Sequence, residues 1–247
     1  MLRKLLVIII GLSMLSACLY PNEQRSENQI SNEQQLSRVQ QAVDQFREQE
    51  NGILPIETRD QNTPLFIKYP VNFTPLIDQN YLGEIPANSF EEGGYYSYVI
   101  LDPEDTAEVK VSDVRVTQSL RSVNYDINLY QNENGHPPYG ESIGDGVFTI
   151  NEEHIDLQDS LSVSSPYSSQ SLDIIMTSQA EAAIDYRPDV YRLLEEEGIE
   201  TYEGDLRYLL LDHYPIVPAY SPEMYLEDGE IILESPDNQN TNNQANN

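Results

Sequence analysis

Two stretches of this chain, 84 residues apart, carry the same order of signals, and any fold has to accommodate both. In the first, Leu36, Val39, Val43 and Phe46 recur at the three- and four-residue spacing of a helix with one apolar face. Ser31, three positions before Gln34, has the pattern of a capping box, and Asn51-Gly52 supplies a left-handed stop. In the second, Leu120, Val123, Ile127 and Tyr130 take the same four positions behind Thr117 as the expected cap, and Asn134-Gly135 is the stop, one residue earlier in register. Pro55 and Pro138 then follow at an offset of 83, and Val71-Asn72-Phe73 answers to Ile155-Asp156-Leu157 at 84. Tyr96, Tyr98 and Ile100 alternate as in a half-buried strand, as do Leu172, Ile174 and Met176. We read this order of helix, Asn-Gly-x-x-Pro loop, short apolar segment and strand as an internal duplication.

The remaining signals complete an α+β body with antiparallel strands: two similar helix-loop-strand units followed by a helical and hairpin segment. Val109, Val111, Val114 and Val116 predict a strand whose change of face between Val111 and Val114 suggests a bulge. Val190, Leu193 and Leu194, with Gly198 as stop, predict a helix starting near Pro188, where proline suits the first turn. Leu206, Leu209, Leu210 and Tyr214 predict another, and the apolar segments flanking Asp228-Gly229 predict a hairpin with a type I′ turn. The expected organisation is a signal segment (1–17), a polar tether (18–31), a first unit (32–116), a second unit (117–177), a C-terminal segment (178–234) and an Asn/Gln-rich tail (235–247). The tether and the tail hold too few large apolar side chains to offset their ordering entropy and are expected to be flexible.

Composition excludes several classes of function. With 42 Asp and Glu against 13 Lys and Arg, the net charge is −29, and no surface built to neutralise phosphate is expected, so nucleic acid is not a partner. The single cysteine excludes an intrachain disulfide framework and multi-cysteine zinc or iron–sulfur centres. That cysteine follows a distinctive N-terminus. Arg3 and Lys4 precede an apolar run over residues 5–15, interrupted by Gly11 and Ser13. The run is shorter than the ~20 residues a permanent span needs, and it ends in Leu15-Ser16-Ala17-Cys18. This reads as a secretory signal and resembles a bacterial lipoprotein signal. The resemblance implies cleavage before Cys18, diacylglycerol on its thiol, and a body lipid-anchored on the outer face of the cytoplasmic membrane.

A second resemblance covers residues 40–99. Ala42-Val43-Asp44-Gln45-Phe46, Asn51-Gly52-Ile53-Leu54-Pro55, Tyr81-Leu82-Gly83-Glu84-Ile85-Pro86 and Gly93-Gly94-Tyr95-Tyr96-Ser97-Tyr98 follow the order found in heads of type IV pilins and type II secretion pseudopilins. This implies a head-like fold only, because the lipobox and tether stand where pilins carry their assembly helix. As a whole the chain is similar to extracytoplasmic lipoproteins of unknown function from Bacillus-type bacteria.

The motifs that carry chemistry point to no enzyme. Gly140-Glu141-Ser142-Ile143-Gly144 has the spacing of a nucleophile elbow, but its Pro- and Gly-rich flanks read as loop where a strand and a helix are needed. His136, His154 and His213 lack the short spacing of metal ligands. The acidic runs 102–105, 156–159 and 195–197 fit no calcium-loop pattern and read as solvated surface. We therefore expect no metal and no cofactor. Seventeen tyrosines stand out, and Tyr95, Tyr96 and Tyr98 are the expected interface residues because tyrosine offers apolar area with a polar tip. The function expected is a non-enzymatic binding or interaction module of the cell envelope, held at the membrane by its N-terminal lipid and facing an envelope protein partner. The alternatives are a solute-binding component of a transporter, with a ligand the sequence does not identify, and an envelope hydrolase using a carboxylate pair.

Overall fold

The computed structural model describes residues 22–60, 63–153, 155 and 160–235. The chain mixes helices with antiparallel strands in an α+β fold. Helix α1 (Asn22–Gln49) leads to α2 (Phe73–Asp78) and the antiparallel hairpin β1 (Tyr96–Leu101) and β2 (Glu108–Asp113). Helix α3 (Val114–Asn134) follows without a linker. Strands β3 (Tyr139–Gly144), β4 (Val147–Ile150), β5 (Ser162–Ser164), β6 (Ser171–Thr177) and β7 (Ala182–Ile184) form a second antiparallel sheet. Helices α4 (Arg187–Glu197) and α5 (Arg207–His213) and the hairpin β8 (Glu223–Glu227) and β9 (Glu230–Glu234) complete it.

Two cores divide the chain near Asp113. The first collects Val39, Ala42, Val43 and Phe46 of α1, Phe73 and Leu76 of α2, and Tyr98, Ile100, Val109 and Val111 of the first hairpin. The second runs from Val116 of α3 through β6 to Leu233 of β9. Strand β6 is its centre. Met176 pairs with Phe148 of β4 on one edge and with Ala182 of β7 on the other. Leu172, Ile174, Ile175 and Met176 are all buried, so this strand is covered on both faces rather than half-buried. The boundary expected after residue 177 falls in the turn between β6 and β7, and residues on both sides of it share the one core.

Several expected element ends move, each for a local reason. Helix α1 begins at Asn22, so Ser31 lies inside it and residues 22–31 are helical rather than an irregular tether. The segment holds no Gly or Pro, so nothing in it breaks a helix. Helix α3 is capped by Asp113, whose Oδ1 accepts from Arg115 N–H at 2.9 Å, and Thr117 lies in the second turn. The change of face between Val111 and Val114 is therefore a strand-to-helix junction, not a bulge. Residues 140–144 are a strand, not a loop. The bulges occur here instead, where the β3–β4 register shifts on either side of Ser142. The glycines serve close approach: a Cβ at Gly144 would lie 2.4 Å from Leu233 O. The turn between β8 and β9 has positive φ at both Asp228 (49°) and Gly229 (85°), as a type I′ turn requires. Ile155 is buried, while Asp156, Leu157 and His154 lie outside the described residues.

The two units share a topology that goes beyond the sequence pattern. In each, a helix packs on the second strand of a hairpin, α1 on β2 and α3 on β7, and each hairpin runs straight into the next helix. The second unit adds β3, β4 and β5 where the first, among the described residues, has the isolated bridges Ile56–Val71, Pro70–Val99 and Ser89–Tyr96.

Residues 214–222 join the units. Val111 N–H donates to Pro215 O at 2.9 Å and Val111 O accepts from Val217 N–H at 2.8 Å, adding a parallel bridge to the edge of β2. Farther along, Ile184 N–H of β7 donates to Tyr220 O at 2.9 Å. The same strap covers the second face of the first hairpin, where Val99 and Leu101 pack with Phe66, Ile67, Leu211, Val217 and Ala219. Replacing Val217 with proline removes the N–H that reaches Val111. The expected cost is about 3 kcal/mol, which lowers the melting temperature by roughly 6–12 °C and is read by calorimetry.

Candidate functional site

Of the three tyrosines expected at an interface, the structure exposes one. Tyr95 is 59% exposed, and the Arg115 guanidinium lies 5.0 Å from its ring centroid. Tyr96 is half-buried in the first core. Tyr98 is 1% exposed; its ring meets Phe73 edge-on at 5.6 Å, and its hydroxyl donates to Asn88 Oδ1 at 2.7 Å. Burial pushes its phenol up to about 12, so it stays a neutral donor. Tyr98 is thus a core residue, placed there by strand alternation, and a surface role passes to Tyr95.

A group of polar side chains gathers at the start of α4, beside residues 214–222. Asp189, in the first turn of α4, is fully buried. Its carboxylate accepts from Ser165 Oγ and Ser168 Oγ, both at 2.7 Å. Ser165 Oγ in turn accepts from the backbone N–H of Tyr167 and Ser168, which fixes the loop before β6 against the start of α4. Tyr167 stands over Tyr186 at 5.7 Å and Tyr214 at 4.9 Å. Burial holds the phenols of Tyr167 and Tyr186 well above their ordinary range, with the Asp189 charge adding to it. Both therefore remain donors, Tyr167 to Ile216 O at 3.1 Å and Tyr186 to Ala219 O at 3.5 Å. Arg192 bonds Tyr214 Oη at 3.0 Å and pairs with Glu196 at 2.7 Å, and the first of these contacts raises its pKa further.

Below this group lies Lys110, a buried lysine on the strap side of β2. Its ammonium donates to Leu211 O at 2.7 Å and Tyr214 O at 3.4 Å and pairs with Glu108 at 2.8 Å. It closes the carbonyl end of α5. The arrangement holds loops and helix ends in place. The serine hydroxyls are committed to Asp189, and neither described histidine bonds a serine.

The other sequence-predicted groups lie apart. Ser142 is exposed on β3 and bonds only Gly144 O, at 3.2 Å. His136 Nδ1 lies 3.0 Å from Pro137 O, and His213 Nδ1 lies 2.9 Å from Leu209 O with Glu197 at 3.8 Å. Asp102 and Asp105 sit in the turn of the first hairpin, where Arg47 donates to Asp105 O at 2.9 Å. Among the described residues no group of three His, Cys, Asp or Glu side chains is placed to hold a metal ion. Cys18 and residues 156–159 lie outside the described residues.

Sequence reasoning missed a repeated device. Asp113-Val114-Arg115, Asp185-Tyr186-Arg187 and Asp205-Leu206-Arg207 each stand at the start of a helix. In all three the aspartate accepts from the arginine's own N–H at 2.9–3.0 Å, and the guanidinium folds back onto the same carboxylate. The Asp-x-Arg string was legible as a signal, since the first two stand at equivalent places in the two units.

In comparison with known proteins, residues 32–113 are similar to the YphF family N-terminal domain. That span coincides with the first core and ends at the cap of α3. No curated protein and no solved structure matches the chain. Replacing Asp189 with alanine leaves the buried Ser165 hydroxyl and the half-buried Ser168 hydroxyl without their acceptor. It is expected to cost about 2–4 kcal/mol, read as a lower midpoint in urea, with Ser168→Ala costing less because Ser165 still reaches the carboxylate.

Proposed function

We propose that this protein is a lipid-anchored component of the outer face of the cytoplasmic membrane that presents its α+β body to a protein partner of the cell envelope, without catalysing a reaction. The observation that carries this reading is the N-terminus: two basic residues, a short apolar run and Leu15-Ser16-Ala17-Cys18. Removing Arg3 and Lys4 with the signal leaves 11 basic residues against 42 acidic, so anionic headgroups repel the body and acyl chains must hold it. Among the described residues no helix is long and apolar enough to cross a membrane.

The binding role is supported by what occupies the polar centre: its hydroxyls, phenols and charges are used to join two units. Tyr95, exposed and stacked under Arg115, offers the partner surface. The likeness of residues 40–99 to pilin heads supports a head-like fold and nothing about filament assembly. The similarity of residues 32–113 to the YphF family N-terminal domain is in keeping with a protein of Bacillus-type bacteria.

The test is chemical. In a Gram-positive host fed an alkyne-tagged fatty acid, the wild-type chain is expected to take up the label and to yield a mature N-terminus at Cys18 by mass spectrometry. Cys18→Ala is expected to lose the label entirely. An unlabelled wild-type chain with an intact N-terminus sinks the lipoprotein reading.

A further inference from the structure

The hairpin β8–β9 alternates strictly. Met224, Ile231 and Leu233 turn into the second core, and the opposite face carries Glu223, Tyr225 and Glu227 on one strand and Glu230, Ile232 and Glu234 on the other. The register sets Glu223 opposite Glu234 and Glu227 opposite Glu230, so like charges face each other at both ends. A fifth carboxylate comes from the end of β3. Asp145 bridges to Glu234, its N–H donating to Leu233 O at 2.9 Å and its carbonyl accepting from Ser235 N–H at 2.8 Å. Those two bonds are the seam that ties the hairpin to the sheet.

Little offsets this crowding. From α5, Arg207 lies 3.6 Å from Glu223, but its closer partner is Asp205 at 2.7 Å. From α4, Tyr191 donates to Glu230 at 3.1 Å, and within β8 Tyr225 donates to Glu223 at 2.6 Å. Tyr202, from the loop before α5, lines the same shallow depression as Tyr225, Glu227 and Glu234, and Asp228 at the turn adds another negative charge.

We propose that the β3–β9 seam is a pH-responsive clasp: protonation of Glu234 relieves its repulsion with Asp145, Glu223 and Glu227 and tightens the C-terminal hairpin on the sheet. The Glu234 carboxyl is held above its ordinary value of 4.5, first by burial and then by those three neighbours. A carboxyl raised in the folded state makes its contribution in full below the unfolded value, and that contribution is lost as pH rises through the folded one. Acidification from neutral pH towards 4.5 therefore strengthens this seam, the reverse of a salt-bridged carboxylate.

Hydrogen exchange at the Asp145 and Ser235 amides of the full chain in detergent, corrected for intrinsic rates, reads the clasp directly. In the wild type, protection is expected to rise on acidification from pH 7.5 towards 4.5. Glu234→Gln, which keeps the shape, is expected to show the higher protection already at pH 7.5 and no further rise. Glu141→Gln, on the exposed part of β3, should keep the wild-type slope. The proposal is overturned if wild-type protection is flat or falls on acidification. It is also overturned if Glu234→Gln keeps the slope, or if Glu141→Gln removes it.

Discussion

The architecture depends on one strap, residues 214–222, and on the match between what it lacks and what surrounds it. Pro215, Pro218 and Pro222 carry no N–H, so the strap is rich in carbonyl acceptors and poor in donors. Its neighbours are donors: the amides of Val111 and Ile184, the phenols of Tyr167 and Tyr186, the ammonium of Lys110 and the guanidinium of Arg207. A buried carbonyl without a partner costs about 1–3 kcal/mol, so losing this match along a whole segment would undo a fold of ordinary stability. Burial keeps both phenols protonated, so the donor set is constant through neutral pH. Two sheets that meet along no edge of their own are joined in this way through one shared neighbour.

The buried charges follow from the same geometry. A charge far from water is tolerated when its hydrogen-bonding capacity is used locally. Asp113, Asp185 and Asp205 each meet that condition within three residues of chain, because the arginine two positions on supplies both an amide and a guanidinium. Asp189 has no arginine in that position; it uses hydroxyls from a loop 21 and 24 residues upstream and so ties that loop to α4. Lys110 does the equivalent across a far longer separation, reaching the end of α5 from β2. The local pairs set helix starts; the distant ones set how helices and loops sit on the strap.

This distinction governs how much could be read from sequence. Helices α4 and α5, the β8–β9 turn and the stops after α1, α3 and α4 were legible because a period, a glycine or a proline within a few residues determines each. The starts of α1 and α3 were misread because Ser31 and Thr117 look like caps, while an unbroken run of helix formers and Asp113 outcompete them. Tyr98 was grouped with Tyr95 by residue type; which tyrosine is exposed depends on strand parity and on what covers each face. Strand β3 was hidden because its glycines read as loop until Leu233, nearly ninety residues away, is seen against Gly144. The strap and the Asp189 cluster rest wholly on distant pairs, and no local pattern announces them.

The same reasoning separates a family boundary from a folding boundary. The match to the YphF family model ends at residue 113, at the end of the first core and the cap of α3. Yet Val99 and Leu101, inside that span, are covered by Leu211, Val217 and Ala219, and the edge of β2 is completed by Ile216, all far outside it. A buried aliphatic side chain of this size is worth about 1.5–3 kcal/mol, so cutting at 113 removes several such contributions and leaves Lys110 without the carbonyls of α5. The duplicated order of signals makes the first unit recognisable as a piece of sequence. The strap makes it part of one cooperative body, because the cover of the unit's second apolar face is completed from the last third of the chain.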